Sequence, residues 1–249
     1  MKLSKQEFIE QPCKAITLIG MSGAGKTYIS SQLARWGWTN YSGDFVIGDR
    51  YMRDVLNFEG EFTAENISAL SDYLGQLGDE AQGGIELREF RKRQKEYYDA
   101  ECQSLAAMKY AYNSEAHFVH DSTGSLCEVE DEVLLREVGE QTLFVYLKTD
   151  AETEKDVLKR AYEYPKPLFF PPAFLDKKLS EYLEYKHLSD VNEIKPDDFS
   201  RWVFPLLFEA RKPKYQRLAD LYGVTIPSSK FQNLTSSDAF IDIVAEALS

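Results

Sequence analysis

The hydrophobic pattern of the chain alternates short apolar runs with amphipathic stretches. Residues 15–19 form an apolar run, and Ile29 and Leu33 follow it one helical turn apart. Apolar runs at residues 117–121 and 142–147 predict two more strands, and the second of these is alternately β-branched and aromatic. A helical pattern follows this second run. The order strand, helix, strand, helix predicts a parallel sheet with helices on its faces, which is the α/β class.

Two regions depart from this simple alternation. Residues from about 50 to 115 have a mostly helical pattern, with a long charged helix at 85–112, and they are too long for a simple crossover. We interpret them as an inserted helical region. Residues 164–172 contain four prolines and cannot form a continuous helix. We therefore interpret residues from about 161 to 200 as a lid with its own insert.

The remaining pattern completes one domain. A helical pattern runs from about Phe199 to Leu221, and residues 224–226 predict a last short strand. Ser236 or Ser237 can cap a final helix. A chain of 249 residues with 43% hydrophobic content can bury one substantial core. We predict a single domain over residues 1–249.

Charge and cysteine content exclude several classes of protein. The net charge of −12 argues against a nucleic-acid or membrane-surface binder, because non-specific affinity for phosphate backbones comes from positive charge. The three cysteines show no spacing typical of disulfides or of a zinc site. No apolar run is long enough to span a membrane or resembles a signal peptide. We expect a soluble cytoplasmic protein that binds neither nucleic acid nor membrane.

One motif points directly to a ligand. Residues 20–27 are a complete GxxxxGK[ST] loop between the first predicted strand and the first helix. In such a loop the backbone N–H groups surround a phosphate, Lys26 reaches the β- and γ-phosphates, and Thr27 can ligate Mg²⁺. The motif predicts a nucleoside triphosphate and Mg²⁺ and does not decide between ATP and GTP, although we expect ATP. The predicted nucleotide-binding residues are Gly20, Met21, Ser22, Gly23, Ala24, Gly25, Lys26, Thr27 and Tyr28.

Two carboxylates are candidates for the chemistry beside the phosphates. Asp121 ends an apolar strand in the manner of a Walker B acid, which predicts a metal ligand, although it could instead cap the following turn. Asp44 lies 17 residues after Thr27 and could orient or deprotonate an acceptor hydroxyl. The alternative for Asp44 is a turn residue, and Asp49 is a weaker rival for its role.

Several cations are candidates for anion binding. The cluster from Arg88 to Lys95 alternates with glutamates, which is typical of a solvated helix face, although one arginine could face a pocket. Arg160 and Lys166 flank or occupy the proline-containing stretch and could cover a transferring phosphoryl group. Arg211 could bind a substrate carboxylate or phosphate through two parallel hydrogen bonds.

Four separated segments resemble the shikimate kinases and related small-molecule kinases. Residues 18–27 resemble the opening strand and phosphate loop of that family, and residues 145–150 resemble a later strand. The helix to Arg160 followed by Lys166-Pro167-Leu168 is similar to its lid, and Arg211-Lys212-Pro213-Lys214-Tyr215 is similar to its Arg-x-Pro-x-Tyr helix. The resemblance implies a three-layer P-loop NTPase fold with a five-stranded parallel sheet, a substrate-binding helical region and a lid.

The resemblance also implies roles for individual residues. Asp44 becomes the acceptor-side acid, Arg160 a lid arginine near the γ-phosphate, and Arg211 a clamp for a substrate anion. Arg91, in Glu89-Phe90-Arg91, resembles an arginine that contacts the substrate carboxylate. Lys166 stands where the family has a lid arginine.

The chain departs from the family pattern at its substrate-side positions. Ser42 replaces the first of two acids, and the Gly-rich substrate loop is replaced by residues 121–125, which retain one glycine. These changes favour an acceptor other than shikimate.

From these features we expect an ATP-dependent kinase that acts on a hydroxyl of a small, anionic metabolite. Its catalytic residues would be Lys26, Asp44 and Arg160, its metal ligands Thr27 and Asp121, and its substrate-binding residues Asp44, Arg91, Lys166 and Arg211. The alternative is a P-loop ATPase or nucleotide switch that a protein partner regulates. A nucleic-acid end kinase is disfavoured by the overall charge.

Overall fold

Five parallel strands form the sheet at the centre of the computed structural model, which describes residues 3–57, 59 and 62–248. The strand order is β2-β3-β1-β4-β5, and every neighbouring pair is parallel. The strands are β1 (Ala15–Ile19), β2 (Thr39–Ser42), β3 (Phe118–Asp121), β4 (Leu143–Lys148) and β5 (Gly223–Pro227). The predicted parallel sheet of five strands is confirmed.

The strand register brings the carboxyl ends of β1, β2 and β3 to the same level of the sheet. Leu18 of β1 lies opposite Asp121 of β3, and Ser42 of β2 lies opposite the same Asp121. Segments that follow β1, β2 and β3 therefore leave the sheet side by side at one edge. Parallel α/β sheets bind their ligands at this carboxyl edge.

Ten α-helices connect and flank the strands in the described part of the chain. They are α1 (Lys5–Glu10), α2 (Lys26–Arg35), α3 (Gly43–Val46), α4 (Ser68–Leu74), α5 (Leu87–Ala111), α6 (Glu132–Gln141), α7 (Ala151–Glu163), α8 (Pro172–Lys186), α9 (Pro196–Tyr222) and α10 (Ser237–Ala247). A π-helix (Ile47–Tyr51) continues α3, and 3-10 turns lie at Ala64–Asn66, Glu80–Gln82, Leu126–Glu128, Val191–Glu193 and Ser228–Phe231. The long predicted helix at 85–112 is confirmed as α5.

Both faces of the sheet are buried, which makes three layers. Ile16 and Leu18 of β1 pack with Ile29 of α2 and Phe240 of α10 on one face. On the opposite face, Phe144 and Tyr146 of β4 pack with side chains of α5, α6 and α9. Alternate residues of one strand thus serve different layers. The predicted three-layer α/β class is confirmed.

Additional helices extend the layer that contains α5. The buried face of α5 continues past the sheet into one apolar cluster with α8 and α9 and another with α4 and the π-helix. Between the π-helix and α5, the regular elements of the described residues are α4 and two 3-10 turns, which is less helix than the pattern predicted. Residues 58, 60 and 61 of the predicted insert lie outside the described residues.

No helix among the described residues is both long and apolar enough to cross a membrane.

Candidate active site

The loop between β1 and α2 has the geometry of a phosphate cradle. Gly20, Gly23 and Gly25 have φ angles of +147°, +88° and +97°. A Cβ atom on Gly20 would stand 3.1 Å from the carbonyl oxygen of Leu147, so this position favours glycine for space as well as for φ. The loop ends on the N-terminus of α2, where backbone N–H groups and the helix dipole favour an anion.

Lys26 lies inside this loop and is almost completely buried. Its Nζ donates to the carbonyl oxygens of Gly20, at 2.8 Å, and of Met21, at 3.3 Å. Burial lowers the pKa of Lys26, and the charges of Asp121 and Asp44 oppose this shift. The ammonium group therefore bonds to the loop itself and lies within electrostatic range of the Asp121 and Asp44 carboxylates.

Asp121 lies beside Lys26 at the end of β3 and has unused hydrogen-bonding capacity. Its Oδ2 accepts from Ser30 Oγ at 3.3 Å, whereas its Oδ1 is buried without a hydrogen-bond partner among the described residues. Burial raises the pKa of Asp121, while Lys26 and the hydroxyls of Thr27 and Ser30 lower it. An unpartnered buried oxygen costs free energy unless a ligand satisfies it.

This arrangement fits Mg²⁺, which prefers oxygen ligands. Thr27 and Asp121 would hold the ion. The described residues contain no group of three or more His, Cys, Asp or Glu side chains that could hold a metal by themselves. Mg²⁺ in nucleotide sites is usually bound by one or two carboxylates together with phosphate oxygens and water. The sparse protein ligand set is therefore suited to a metal that arrives with a nucleotide.

Asp44 reaches the same edge from β2. It lies in the first turn of α3, whose N-terminus is capped by Ser42 Oγ accepting from the Phe45 N–H at 3.4 Å. Burial raises the pKa of Asp44 to about 6, Lys26 lowers it, and Asp121 raises it further. Asp44, Lys26 and Asp121 therefore lie within electrostatic range of one another, although 95 residues separate Lys26 from Asp121 in sequence.

Arg160 of α7 lies beside the phosphate loop. A Cβ atom on Gly23 would stand 3.4 Å from Arg160 Nη2 and 3.3 Å from Val157 Cγ2. Arg160 is exposed, and among the described residues its side chain makes one hydrogen bond, from Nε to the Asp156 carbonyl oxygen at 3.4 Å. Its guanidinium is thus next to the loop and faces solvent.

A groove continues from the loop along α2. Its lining includes Gly25, Tyr28, Thr153, Ser228 and Gln232. Tyr28 is half exposed there. Ser228 and Gln232, which follow β5, were not among the residues predicted from sequence, because no motif marks them.

Arg211 lies next to the loop after β3, but its guanidinium already forms hydrogen bonds within the protein. It is buried on α9. Its Nε donates to Glu128 Oε1 at 3.0 Å, Nη1 to the Gly124 carbonyl at 2.9 Å, and Nη2 to the Phe169 carbonyl at 2.9 Å. Glu128 also accepts from Lys214. A clamp on a substrate anion, the role predicted for Arg211, would compete with these contacts.

The other two predicted substrate-binding cations lie at the surface. Arg91 pairs with Asp176 of α8 at 2.7 Å, and both side chains are more than half exposed. Lys166 is also exposed. The structure does not place Arg91 or Lys166 among the buried groups around Lys26. The reason for Arg91 is helix phase, because its neighbour Phe90 occupies the buried face of α5.

Besides Ser228 and Gln232, the sequence analysis also missed Glu101. It is buried on α5 and accepts hydrogen bonds from Thr123 Oγ1 and, at 3.0 Å to each carboxylate oxygen, from Ser125 Oγ. Burial raises its pKa to about 7, the two hydroxyls and Arg211 lower it, and Asp44 raises it. A signal was present, since Glu101 falls in phase with Phe90, Gln94, Tyr97, Leu105 and Met108 on the buried face of α5.

The proline-containing segment, residues 164–171, is held against α5. Gln94 Nε2 donates to the Leu168 carbonyl at 3.0 Å, and the Phe170 N–H donates to Gln94 Oε1 at 2.7 Å. Phe169 packs on the rings of Tyr97 and Tyr98. The segment predicted as a lid thus contributes to the wall of buried groups around Glu101 and Arg211.

Comparison with known proteins gives structural neighbours only. Neither a protein-family model nor a curated protein sequence matches this chain. A shikimate kinase from Acinetobacter baumannii in complex with shikimate aligns over 84% of this chain and 99% of its own, with 19% identity and a TM-score of 0.35. A gluconokinase from Sinorhizobium meliloti 1021 aligns over 84% and 94%, with 17% identity and a TM-score of 0.33.

A sugar kinase from Janibacter sp. HTCC2649 aligns over 82% of this chain and 98% of its own, with 16% identity and a TM-score of 0.26. The first neighbour bears the name of the family that the sequence motifs resemble. Identity and TM-score are low for all three, so we infer function from the geometry of the site.

Proposed function

We propose that the protein is an ATP- and Mg²⁺-dependent kinase that phosphorylates a hydroxyl group of a small metabolite. One observation carries this proposal. A phosphate loop, its lysine, a carboxylate with an unpartnered buried oxygen and a second carboxylate with a raised pKa converge at one edge of the sheet. These are the groups that positioning and charge neutralisation of a phosphoryl group require.

On the nucleotide side, the loop amides and Lys26 bind the phosphates, and the groove beside Tyr28 receives the base. Lys26 exchanges the carbonyl oxygens of Gly20 and Met21 for phosphate oxygens. Thr27 and Asp121 would hold Mg²⁺, which when bound would supply neutralisation of phosphate charge. Arg160 adds a positive charge beside the loop.

On the acceptor side, Asp44 takes the proton from the acceptor hydroxyl. The acceptor oxygen then forms a bond to the γ-phosphorus, and the bond from that phosphorus to the β–γ bridging oxygen breaks, which releases ADP. A carboxylate with a pKa of about 6 is mainly ionised at neutral pH and is more basic than an ordinary aspartate. Burial of Asp44 therefore serves its role as a general base.

The test compares two aspartates on neighbouring turns. Asp44→Asn keeps the shape of the side chain and removes its basicity, so turnover of an acceptor should fall roughly 10²- to 10⁴-fold while ATP affinity is retained. The matched control is Asp49→Asn. Asp49 lies on the π-helix and pairs with Arg53 at 2.6 Å, so it needs no role in phosphoryl transfer. Turnover is measured as ADP formation with a panel of hydroxylated metabolites.

Loss of turnover in Asp49→Asn, with Asp44→Asn near wild type, would move the role of the base to Asp49. If no metabolite stimulates ADP formation while a protein partner does, the kinase proposal fails in favour of the partner-regulated ATPase. The anionic character of the acceptor and the cytoplasmic location, both expected from sequence, remain predictions.

A further inference from the structure

A cavity at the edge of the sheet opposite the phosphate loop lies outside the groups used in the proposed kinase reaction. Its volume is about 480 Å³, which is in the range of small-molecule sites. Its walls come from the start of β1, the end of α6, Tyr112 after α5 and Tyr222 at the end of α9. Because β1 runs from Ala15 in this cavity to Ile19 before the phosphate loop, the two sites lie at opposite ends of one strand.

Two tyrosine rings form an apolar part of the wall, and the core holds them in place. The ring centroid of Tyr222 lies 5.4 Å from that of Phe144, and the ring centroid of Tyr112 lies 5.8 Å from that of Phe118. A Cβ atom on Gly139 would stand 2.4 Å from Tyr222 Cδ1, so glycine lets this ring lie directly on α6. The cavity therefore offers a preformed surface for an apolar group, and little ordering is needed on binding.

One polar group of the wall is unsatisfied. Gln141 lines the cavity, and its Oε1 is buried without a hydrogen-bond partner among the described residues. Such an oxygen costs free energy unless a ligand or water donates to it. The terminal torsion of a glutamine has broad minima, so rotation of the amide can bring this oxygen to a donor in the cavity. It is separate from the unpartnered oxygen of Asp121, which lies at the other edge of the sheet and is assigned to the metal.

The charges around the cavity favour a cation. Glu140 is the one charged side chain among the described lining residues, and its contact with Arg136 is long, at 4.0 Å, between two exposed side chains. The helix α6 ends here with no basic residue in its last turn, so its C-terminal carbonyls keep their partial negative charge. Lys14 does not line the cavity, and its Nζ donates to the carbonyls of Ile9 and Gln11.

We propose that this cavity binds a small organic amine, whose ammonium group donates to Gln141 Oε1 beside Glu140 and whose apolar body packs on Tyr112 and Tyr222. The N–H donor matches the unpartnered oxygen, the positive charge matches the carboxylate and the helix end, and the apolar body matches the rings. A carboxylate ligand would instead add a negative charge beside Glu140. This site goes beyond the proposed kinase function and does not depend on it.

The test uses phenethylamine as the probe, together with three analogues that each change one property. Phenethyl alcohol removes the charge, phenethyltrimethylammonium keeps the charge without N–H donors, and hydrocinnamate reverses the charge. Calorimetric titration of the full chain measures Kd for each compound. We expect phenethylamine to bind with a Kd of about 1 mM or tighter, and we expect each analogue to bind at least about threefold more weakly.

Two variants locate the bound amine. Gln141→Leu should weaken phenethylamine binding about 3- to 10-fold without lowering the Tm of the unliganded protein, because the oxygen that it removes has no partner. Glu140→Gln should weaken the amine by about 2- to 5-fold and leave phenethyl alcohol unchanged. The matched control is Glu132→Gln at the other end of α6, where the exposed carboxylate pairs with Arg217. This control makes the same change of charge and should bind phenethylamine as the wild type does.

Alkylation of cysteine gives a second readout. Cys13 lines the cavity, whereas Cys102 of α5 does not, and both are partly exposed. Phenethylamine should therefore slow the reaction of Cys13 with iodoacetamide and leave the reaction of Cys102 unchanged.

The inference is overturned if phenethylamine neither binds nor protects Cys13, or if any of the three analogues binds as tightly as the amine. It is also overturned if Gln141→Leu and Glu140→Gln leave the affinity for the amine unchanged. A lower Tm of unliganded Gln141→Leu would show that the amide has a structural role, which contradicts the inference as well. The kinase function is tested separately by ADP formation, so each proposal can fail without the other.

Discussion

The phosphate side and the acceptor side of the site differ in how far their polar groups are satisfied within the protein. On the phosphate side, Lys26 bonds to two loop carbonyls, and Asp121 Oδ1 has no hydrogen-bond partner in the part of the chain that the structure describes. On the acceptor side, Arg211 donates to three partners and Glu101 accepts from two hydroxyls. The first region is arranged to exchange its partners for a ligand, whereas the second is held in place by its own network. Four experiments test this contrast.

The largest expected effect is on the acceptor side. Glu128→Ala leaves the buried Arg211 guanidinium without its carboxylate, and breaking a buried pair in this way destabilises a protein by about 3–5 kcal/mol. Urea denaturation measures the loss. Glu132→Ala is the control, because its pair with Arg217 is more than half exposed on both sides and should contribute at most about 1 kcal/mol. Equal small losses would contradict the network described here.

On the phosphate side, Lys26→Ala should impair function and leave the fold intact. Removal of this cation should lower turnover by about 10²- to 10³-fold and abolish stabilisation by ATP in thermal melts. The unliganded variant should be no less stable than the wild type, because burial of the ammonium group is itself unfavourable. Lys92→Ala, on an exposed face of α5, is the control. Unchanged ATP affinity and turnover would refute the assignment of the loop.

The buried carboxylate Glu101 should make stability depend on pH with a defined sign. Its pKa is raised from 4.5 to about 7 on folding, so the folded state binds more protons than the unfolded state in this window. Its contribution to the free energy of unfolding should therefore be fully present below pH 4.5 and be lost as the pH rises to 7.

The magnitude of this loss is on the order of 3 kcal/mol, and Glu101→Gln should remove it. Stability measured from pH 4.5 to pH 8 in both proteins isolates the contribution as a difference. Glu115→Gln, at an exposed position after α5, should follow the wild-type curve. A wild-type curve parallel to that of Glu101→Gln would show that Glu101 has an ordinary pKa.

The smallest effect concerns the segment 164–171. Gln94→Leu removes both amide hydrogen bonds to this segment and should lower stability by about 1–2 kcal/mol. Amide hydrogen exchange at Phe170 should accelerate more than exchange in the sheet. Gln103→Leu on the same helix is the control, since among the described residues the Gln103 amide donates only to the carbonyl of Asp99, one turn earlier on α5. Unchanged exchange at Phe170 would mean that Gln94 does not hold the segment.

The amino-acid sequence by itself determined the sheet and the phosphate side of the site. The loop at residues 20–27, the strands and the long helix α5 depend on local glycine spacing and hydrophobic periodicity, which act within a few turns of the chain. The positions of Asp44 and Asp121 follow from the same logic, because the carboxyl ends of parallel strands meet at one edge. Both aspartates lie within electrostatic range of Lys26, and their roles stay predictions.

The tertiary structure alone decided the acceptor side. Arg211 meets Glu128 across 83 residues and Phe169 across 42, and Glu101 meets Ser125 across 24. A sequence motif can identify an arginine. Whether its guanidinium is free to bind a ligand depends on which carboxylate the tertiary packing places next to it. Likewise, helix phase turned Arg91 to the surface and Glu101 inward, and a shift of α5 by one position would have exchanged the residues facing the core.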